Sequence, residues 1–262
     1  MKHVITKIAR GVTMLSGVEN ECRIYLIEGK DAALLIDTGL GTVDISEEAA
    51  ELTALPVFVV NTHGHGDHSG GNMYFPKVYM HREAEADARD ALALNKTVLS
   101  PEAVEAIEKK LDGGAFAAEY VDDGFIFDLG DRLVEVISIP GHTPGCIALL
   151  DQNSRLLFSG DCAVKSMDIL MVVPQALSLS TYLERMKKLS SRASDYDSVC
   201  TGHDNSPIPA SFIDEITACC EDVLSGKAEC EAIVLPPVFG DTNAMRTKGA
   251  DFALAFRPGK LR

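Results

Sequence analysis

Short apolar runs separated by glycine and polar turns dominate the first part of the chain. Runs of this length predict strands. Between the fourth and fifth runs, the spacing of apolar residues predicts a helix instead. The predicted strands cover residues 4–8, 12–15, 22–28, 32–36 and 57–60, and the predicted helix covers residues 43–54. Because Val57–Val60 is apolar throughout, we expect that strand to be buried on both faces.

The pattern then changes from strands to helices and repeats. We predict a strand at 77–80, helices at 82–94 and 101–111, several strands between 119 and 159, and helices at 179–191 and 208–225. The order predicts two similar halves, in which sheets pack together with helices outside. No linker rich in proline, glycine or serine interrupts the chain, so we expect one domain over residues 1–262. The helical part of residues 95–124 is either a lid over a site or a plain excursion.

The end of the 57–60 strand leads into His63-Gly64-His65-Gly66-Asp67-His68, which places four potential metal ligands within six residues. Extended backbone would put His63 and His65 on one side, whereas Asp67 and His68 would turn away. We expect the intervening glycines to let the backbone bend tightly around a small object. A divalent metal is the natural object, because imidazole and carboxylate are its preferred ligands.

The arrangement of an apolar strand followed by a glycine and a ligand recurs three times. His142 follows the predicted strand at 133–139, Asp161 follows the one at 156–159, and His203 follows the one at 198–200. Loops at strand ends carry chemistry on a rigid scaffold. We therefore expect these three residues to join the hexapeptide in a metal centre.

These ordered motifs, together with Leu35-Ile36-Asp37-Thr38-Gly39, resemble the metallo-β-lactamase superfamily from about Ile8 to Lys227. The resemblance implies an α+β fold, the four-layer αβ/βα sandwich. It assigns His63, His65 and His142 to one metal, Asp67, His68 and His203 to a second, and Asp161 to both. It also suggests that Asp37 orients a ligating imidazole, although a plain turn residue before Gly39 is an equal alternative.

A dinuclear centre of this kind would activate a shared hydroxide for attack on a carbonyl or phosphoryl group. Asp67 is the predicted catalytic residue, since it could orient that hydroxide or carry its proton. Zinc is the first expectation for the two divalent ions, and iron or manganese would fit the same ligands. The leading hypothesis is a hydrolase of a small ester, thioester or lactone, similar to the non-lactamase, glyoxalase II-like branch.

Two other functional classes remain open from the sequence. The main alternative is an iron-dependent thiol dioxygenase, an oxidoreductase on the same scaffold. A non-catalytic metal-binding protein is the third, and structural zinc sites are usually closed and mononuclear. The flavodiiron branch fits less well, because it typically carries Glu where this chain has His65.

The amino-acid composition of the chain excludes several classes of binding partner. The chain of 262 residues has a formal net charge of -15, which argues against binding nucleic acid. No apolar stretch approaches a membrane span, and the start lacks a signal-peptide core. Seven cysteines without a C-x-x-C pair indicate reduced thiols, so we expect a cytoplasmic protein acting on a small molecule. Cys162 is interpreted as a buried neighbour of Asp161, and His3 as a surface residue.

Overall fold

A computed structural model describes residues 2–18, 21–96, 99–111, 116–205, 207–236, 239–240, 242–249 and 251–262. The chain divides into two compact units. The first comprises Met1–Ile137 and Asp151–Ser154, and the second comprises Ser138–Leu150 and Arg155–Arg262. The expectation of one domain stays a prediction. Among the described residues, no helix is both long enough and apolar enough to cross a membrane.

The first unit is built on a seven-stranded sheet whose spatial order follows the chain. Its strands are β1 (Val4–Ala9), β2 (Val12–Ser16), β3 (Ile24–Glu28), β4 (Ala33–Ile36), β5 (Val57–Val60), β6 (Lys77–Met80) and β7 (Ala117–Tyr120). The pairs from β1 to β4 are antiparallel, and those from β4 to β7 are parallel. The antiparallel hairpin of β8 (Ile126–Asp128) and β9 (Leu133–Ser138) follows.

The parallel pairing of β4 and β5 places the loops that follow these two strands next to each other. Ile36 lies opposite Val60, and the Asp37 amide donates to the Val60 carbonyl at 2.8 Å. The loops that begin at Asp37 and Asn61 therefore leave the sheet side by side. Both strand ends are buried, as the continuous apolar runs predicted.

Helices of the first unit cover an apolar core that includes Leu26, Leu35, Val59 and Val78. They are α1 (Ile45–Leu52), α2 (Gly66–Ser69), α3 (Glu85–Arg89), α4 (Ala91–Asn95) and α5 (Pro101–Leu111). The Asp44 side chain caps α1 by accepting from the amides of Ser46 and Glu47. Helix α4 packs against both α2 and α5.

The prediction of one continuous helix at 82–94 is wrong. A 3-10 turn opens the segment at Arg82–Ala84, and α3 ends at Arg89, with Asp90 as its C-cap. The Asp90 amide donates to the carbonyls of Ala86 and Asp87, which tightens the last turn and stops the helix. The prediction for 101–111 matches α5, so the described part of residues 95–124 contains a helix and β7. Residues 97–98 and 112–115 lie outside the described part.

The second unit contains two sets of strands. β10 (Ile147–Asp151), β11 (Leu156–Gly160), β13 (Ser198–Thr201) and β14 (Ile208–Pro209) are successive neighbours in one. A smaller sheet has the order β12 (Ile169–Met171), β17 (Leu254–Phe256), β16 (Asn243–Thr247) and β15 (Cys230–Val234). Helices α6 (Leu179–Ser190) and α7 (Phe212–Leu224) pack against each other.

The helix predicted at 208–225 begins four residues late, at Phe212. Ile208 precedes Pro209, a position that disfavours helical backbone, and the two residues form β14 instead. Ile208 pairs with Val199 in β13. The small sheet of β12, β15, β16 and β17 was not predicted.

The interpretation of His3 as a surface residue is wrong. His3 is buried, and its ring nitrogens lie 2.6 Å from Glu48 Oε2 and 2.5 Å from Glu21 Oε2. Burial alone lowers the pKa of His3, but the hydrogen bonds and charges of the two carboxylates outweigh it and hold the pKa above its usual value. Glu21 also accepts from the Leu40 amide at 2.7 Å, which ties this cluster to the loop after β4.

Candidate metal centre

The first unit carries four of the seven predicted ligands, all in the loop after β5. The ring centroids of His63 and His65 are 4.6 Å apart, and those of His63 and His68 are 4.2 Å apart. His63 and His68 are fully buried, whereas His65 and Asp67 are half-buried. Asp67 Oδ2 lies 3.5 Å from His68 Nε2. Three imidazoles and a carboxylate gathered at a partly open loop are a donor set that suits a divalent metal.

Asp37 fixes the orientation of His68. Its Oδ2 lies 2.8 Å from His68 Nδ1 and 2.9 Å from Thr62 Oγ1, and its Oδ1 accepts from the Thr62 amide at 2.7 Å. A carboxylate at Nδ1 holds the proton there and leaves Nε2 as the ligand atom. Asp37 has a positive φ of 63°, a left-handed conformation that Asp tolerates better than most residues. These contacts favour the orienting role over that of a plain turn residue.

Cys22 also lies beside Asp37 and His68, with ligand atoms of the three residues within 4.8 Å of one another. Burial raises the pKa of the Cys22 thiol far above its usual value. Cys22 is thus a buried neighbour of His68, as Asp37 is, and it is not among the seven predicted ligands.

Sequence reasoning missed the polar residues that hold the backbone of His68. The His68 carbonyl accepts from the Thr38 amide at 2.8 Å and from Asn61 Nδ2 at 3.1 Å. Asn72 Nδ2 donates to Asn61 Oδ1 at 2.8 Å, and Asn72 Oδ1 lies 2.8 Å from Thr38 Oγ1. One available signal was the position of Thr38 and Asn61, which lie within two residues of the ends of β4 and β5.

The glycines of the loop have a packing role that the sequence analysis did not predict. A Cβ on Gly64 would lie 2.3 Å from the Ala84 carbonyl oxygen, and one on Gly66 would lie 2.2 Å from Asn95 Oδ1. Neither glycine has positive φ. They are therefore required for close approach to the helical segments behind the loop. Asn95 completes this contact by donating to the carbonyls of Leu40 and Gly66 at 3.1 and 3.0 Å.

The second unit carries the other three predicted ligands. His203 Nε2 lies 3.3 Å from Asp161 Oδ1, and His142 Nε2 lies 3.9 Å from Asp161 Oδ2. His142 Nδ1 is 2.7 Å from the Leu170 carbonyl oxygen, so Nδ1 carries the proton and Nε2 is the candidate ligand atom. One carboxylate with an oxygen near each of two imidazoles is the arrangement that a bridging ligand needs.

Cys162 is a buried neighbour of Asp161, as expected, and its thiol lies 3.5 Å from the Ile139 carbonyl oxygen. Its own carbonyl accepts from the Tyr182 hydroxyl at 2.5 Å. Tyr182 packs so closely on Gly141 that a Cβ there would lie 2.5 Å from the Tyr182 ring. Tyr182 therefore supports the backbone next to both Asp161 and His142.

The sequence profile of the metallo-beta-lactamase superfamily matches residues 18–203, which include all seven predicted ligands. The chain belongs to this superfamily. A metallo-beta-lactamase from Pontibacter korlensis has a similar structure, with a TM-score of 0.61 and 18% sequence identity over 84% of this chain and 100% of that one. The predicted α+β metallo-β-lactamase fold is therefore confirmed.

Two relatives with higher identity are similar to part of the chain. Acyl-coenzyme A thioesterase MBLAC2 of Homo sapiens is 37% identical over 162 residues, which are 54% of this chain and 58% of that protein. A hydroxyacylglutathione hydrolase of Mesorhizobium japonicum is 29% identical over 125 residues, which are 45% of this chain and 41% of that protein. The chain thus spans about half the length of these relatives. Their names agree with the predicted non-lactamase, glyoxalase II-like branch.

Proposed function

We propose that this chain is a metal-dependent hydrolase of a small-molecule thioester. The observation that carries the proposal is the set of buried, oriented imidazoles: His68 held by Asp37, and His142 held by the Leu170 carbonyl. A hydrogen bond at Nδ1 fixes the tautomer of each ring and leaves Nε2 as its ligand atom. A histidine that only fills a core does not need this arrangement. Among the ester, thioester and lactone substrates expected from the sequence, the names of the two relatives favour the thioester.

The proposed centre holds two divalent ions, and zinc is the metal we propose. His63, His65 and His142 would hold one ion, Asp67, His68 and His203 the other, and Asp161 would contact both. The support is superfamily membership together with the ligand geometry inside each unit. When bound, the two ions supply Lewis acidity and lower the pKa of a shared water.

Asp67 is the proposed catalytic residue. Its carboxylate is half-buried and lies next to His68, so it can contact the reacting water while remaining partly exposed to solvent. In this role Asp67 orients that water and accepts its proton while the thioester carbonyl is attacked. A carbon–oxygen bond forms, the carbon–sulfur bond breaks, and the leaving thiolate takes the proton held by Asp67 to become a thiol, while the acyl group is released as a carboxylate.

The remaining features of the proposal concern partners. A net charge of -15 repels a polyanion over most of the surface, which supports a small-molecule substrate and no nucleic acid. The cytoplasmic location stays a prediction. The ligand geometry of the described residues does not favour the thiol dioxygenase alternative. The test described next distinguishes this alternative from the hydrolase.

The test combines elemental analysis with a substrate panel. Protein purified without chelator and reconstituted with zinc should hold two equivalents and release thiol from acyl-coenzyme A or acyl-glutathione faster than it opens a β-lactam or lactone. Asp161→Ala should remove at least one zinc and most of the activity. His81→Ala is the matched control, because His81 caps a helical turn outside the ligand loop and should leave both zincs in place.

Three results would contradict the proposal. Less than half an equivalent of total transition metal after reconstitution would exclude the centre. One equivalent of iron with oxygen-dependent thiol oxidation would favour the dioxygenase. Wild-type thioesterase activity in Asp161→Ala would exclude the assigned mechanism.

A further inference from the structure

Asp204 is a buried carboxylate that follows His203 and is not among the seven proposed ligands. Its side-chain oxygens accept hydrogen bonds from the amides of Lys165 and Ser166 at 2.8 and 2.5 Å, and from Thr201 Oγ1 at 2.8 Å. Its own amide donates to Thr201 Oγ1 at 3.0 Å. Only 4% of Asp204 is exposed, so these are bonds of a charged group inside the second unit, which are stronger than neutral ones.

The bonds of Asp204 connect the two loops that carry Asp161 and His203. One loop follows β11 and the other follows β13, which is the parallel neighbour of β11. The strand pairing extends as far as the Gly202 amide, which donates to the Gly160 carbonyl at 2.9 Å. Beyond that point, the Asp204 carboxylate connects the two loops, and Ser166 Oγ lies 3.4 Å from the His203 carbonyl oxygen.

We propose that Asp204 is a positioning residue that sets the separation of Asp161 and His203, and that it thereby controls the affinity of the centre for one of its two metals. The inference rests on the proposed function, because it assigns both residues as ligands. Metal sites accept ligand positions within about 0.2 Å, so loops that drift apart lose the ion. Asp161 and His203 are 3.3 Å apart here, and the Asp204 bonds begin one residue from His203 and four residues from Asp161.

This role predicts that loss of the Asp204 bonds affects the two metal ions unequally. Asp161 would contact both ions, whereas His203, which directly precedes Asp204, belongs only to the proposed set with Asp67 and His68. Loss of the Asp204 bonds should therefore weaken the ion at the His203 set far more than the other ion. A residue that merely stabilised the fold would weaken both ions together.

Asp204→Asn tests this with little change in volume. The amide keeps one acceptor oxygen but turns an NH2 group towards backbone or hydroxyl donors. Thr201→Val is a milder second variant, since it removes one hydroxyl and leaves both backbone amides bonded to Asp204. Asp197→Asn is the matched control, because Asp197 is an exposed aspartate of the same unit that pairs with Arg155.

Two measurements are needed. Hydrogen–deuterium exchange of the metal-free proteins should show faster exchange over residues 162–168 in Asp204→Asn, with wild-type rates in Asp197→Asn. Zinc titration against a chromophoric chelator should show one of the two dissociation constants raised about 10- to 100-fold and the other changed less than threefold. Thr201→Val should move both readouts in the same direction by less.

The outcomes separate the two proposals. If wild-type protein binds no zinc, the proposed function fails, and the exchange measurement still decides whether Asp204 holds the loop. Unchanged exchange over residues 162–168 would overturn the inference. So would two unchanged zinc affinities, or an equal loss of both zincs with a lower thermal midpoint of the metal-free variant.

Discussion

Replacement of Asp37 by Asn tests how much the orientation of one imidazole contributes to metal binding. The substitution keeps the size of the side chain and an oxygen that can accept from the Thr62 amide. It places an NH2 group where Oδ2 now lies 2.8 Å from His68 Nδ1 and 2.9 Å from Thr62 Oγ1. Asn also tolerates the φ of 63° at this position, so the backbone should keep its conformation.

The magnitude follows from the bond that is lost. A hydrogen bond to a charged group contributes about 1.5–3 kcal/mol. Loss of a carboxylate that orients a ligating histidine typically weakens metal binding 10- to 100-fold, which is about 1.4–2.8 kcal/mol. The two estimates agree. We therefore expect Asp37→Asn to raise one zinc dissociation constant by that factor and to leave the other within about threefold.

The assay is competition with a chromophoric chelator, together with urea unfolding of the metal-free protein. Asp37→Ala serves as a comparison, because it loses the same bonds and also forces alanine into left-handed backbone at a cost of roughly 1–2 kcal/mol. The alanine variant should thus be less stable than the asparagine variant when both are metal-free. Zinc affinities of Asp37→Asn within twofold of wild type would refute the orienting role.

Three further predictions concern stability, each measured by urea or thermal unfolding. Because the pKa of His3 is raised in the folded state, its contribution is complete below its unfolded pKa of about 6.5 and is lost as pH rises through the folded value. The difference in unfolding free energy between wild type and His3→Gln should therefore shrink at higher pH, and a pH-independent difference would contradict this. Arg132→Met should cost about 3–5 kcal/mol, since Arg132 pairs at 2.8 Å with Asp151, which is fully buried, and a cost below about 1 kcal/mol would refute that assignment. Gly66→Ala should lower the thermal midpoint, although alanine favours helices, because its Cβ would lie 2.2 Å from Asn95 Oδ1; a raised midpoint would show that Asn95 moves away freely.

The sequence alone determined most strands of the first unit and the identity of the candidate ligands. Apolar runs such as Val57–Val60 predict strands, and the last two residues of this strand are buried. The candidate ligands were found by position, since each follows a strand end, and parallel neighbours such as β11 and β13 bring their following loops together. Helix ends were less accurate. At Asp90 and Pro209, local backbone hydrogen bonds and proline geometry decided the boundary.

Only the tertiary structure decided which polar residues are buried and what they hold. His3, Glu21 and Glu48 come from three separate segments, and nothing in their local sequence distinguishes them from surface residues. Asp204 is similar, because its partners lie almost 40 residues earlier as well as nearby. A buried polar group is stable only when its hydrogen bonds are satisfied, and those partners exist only after distant segments have folded together.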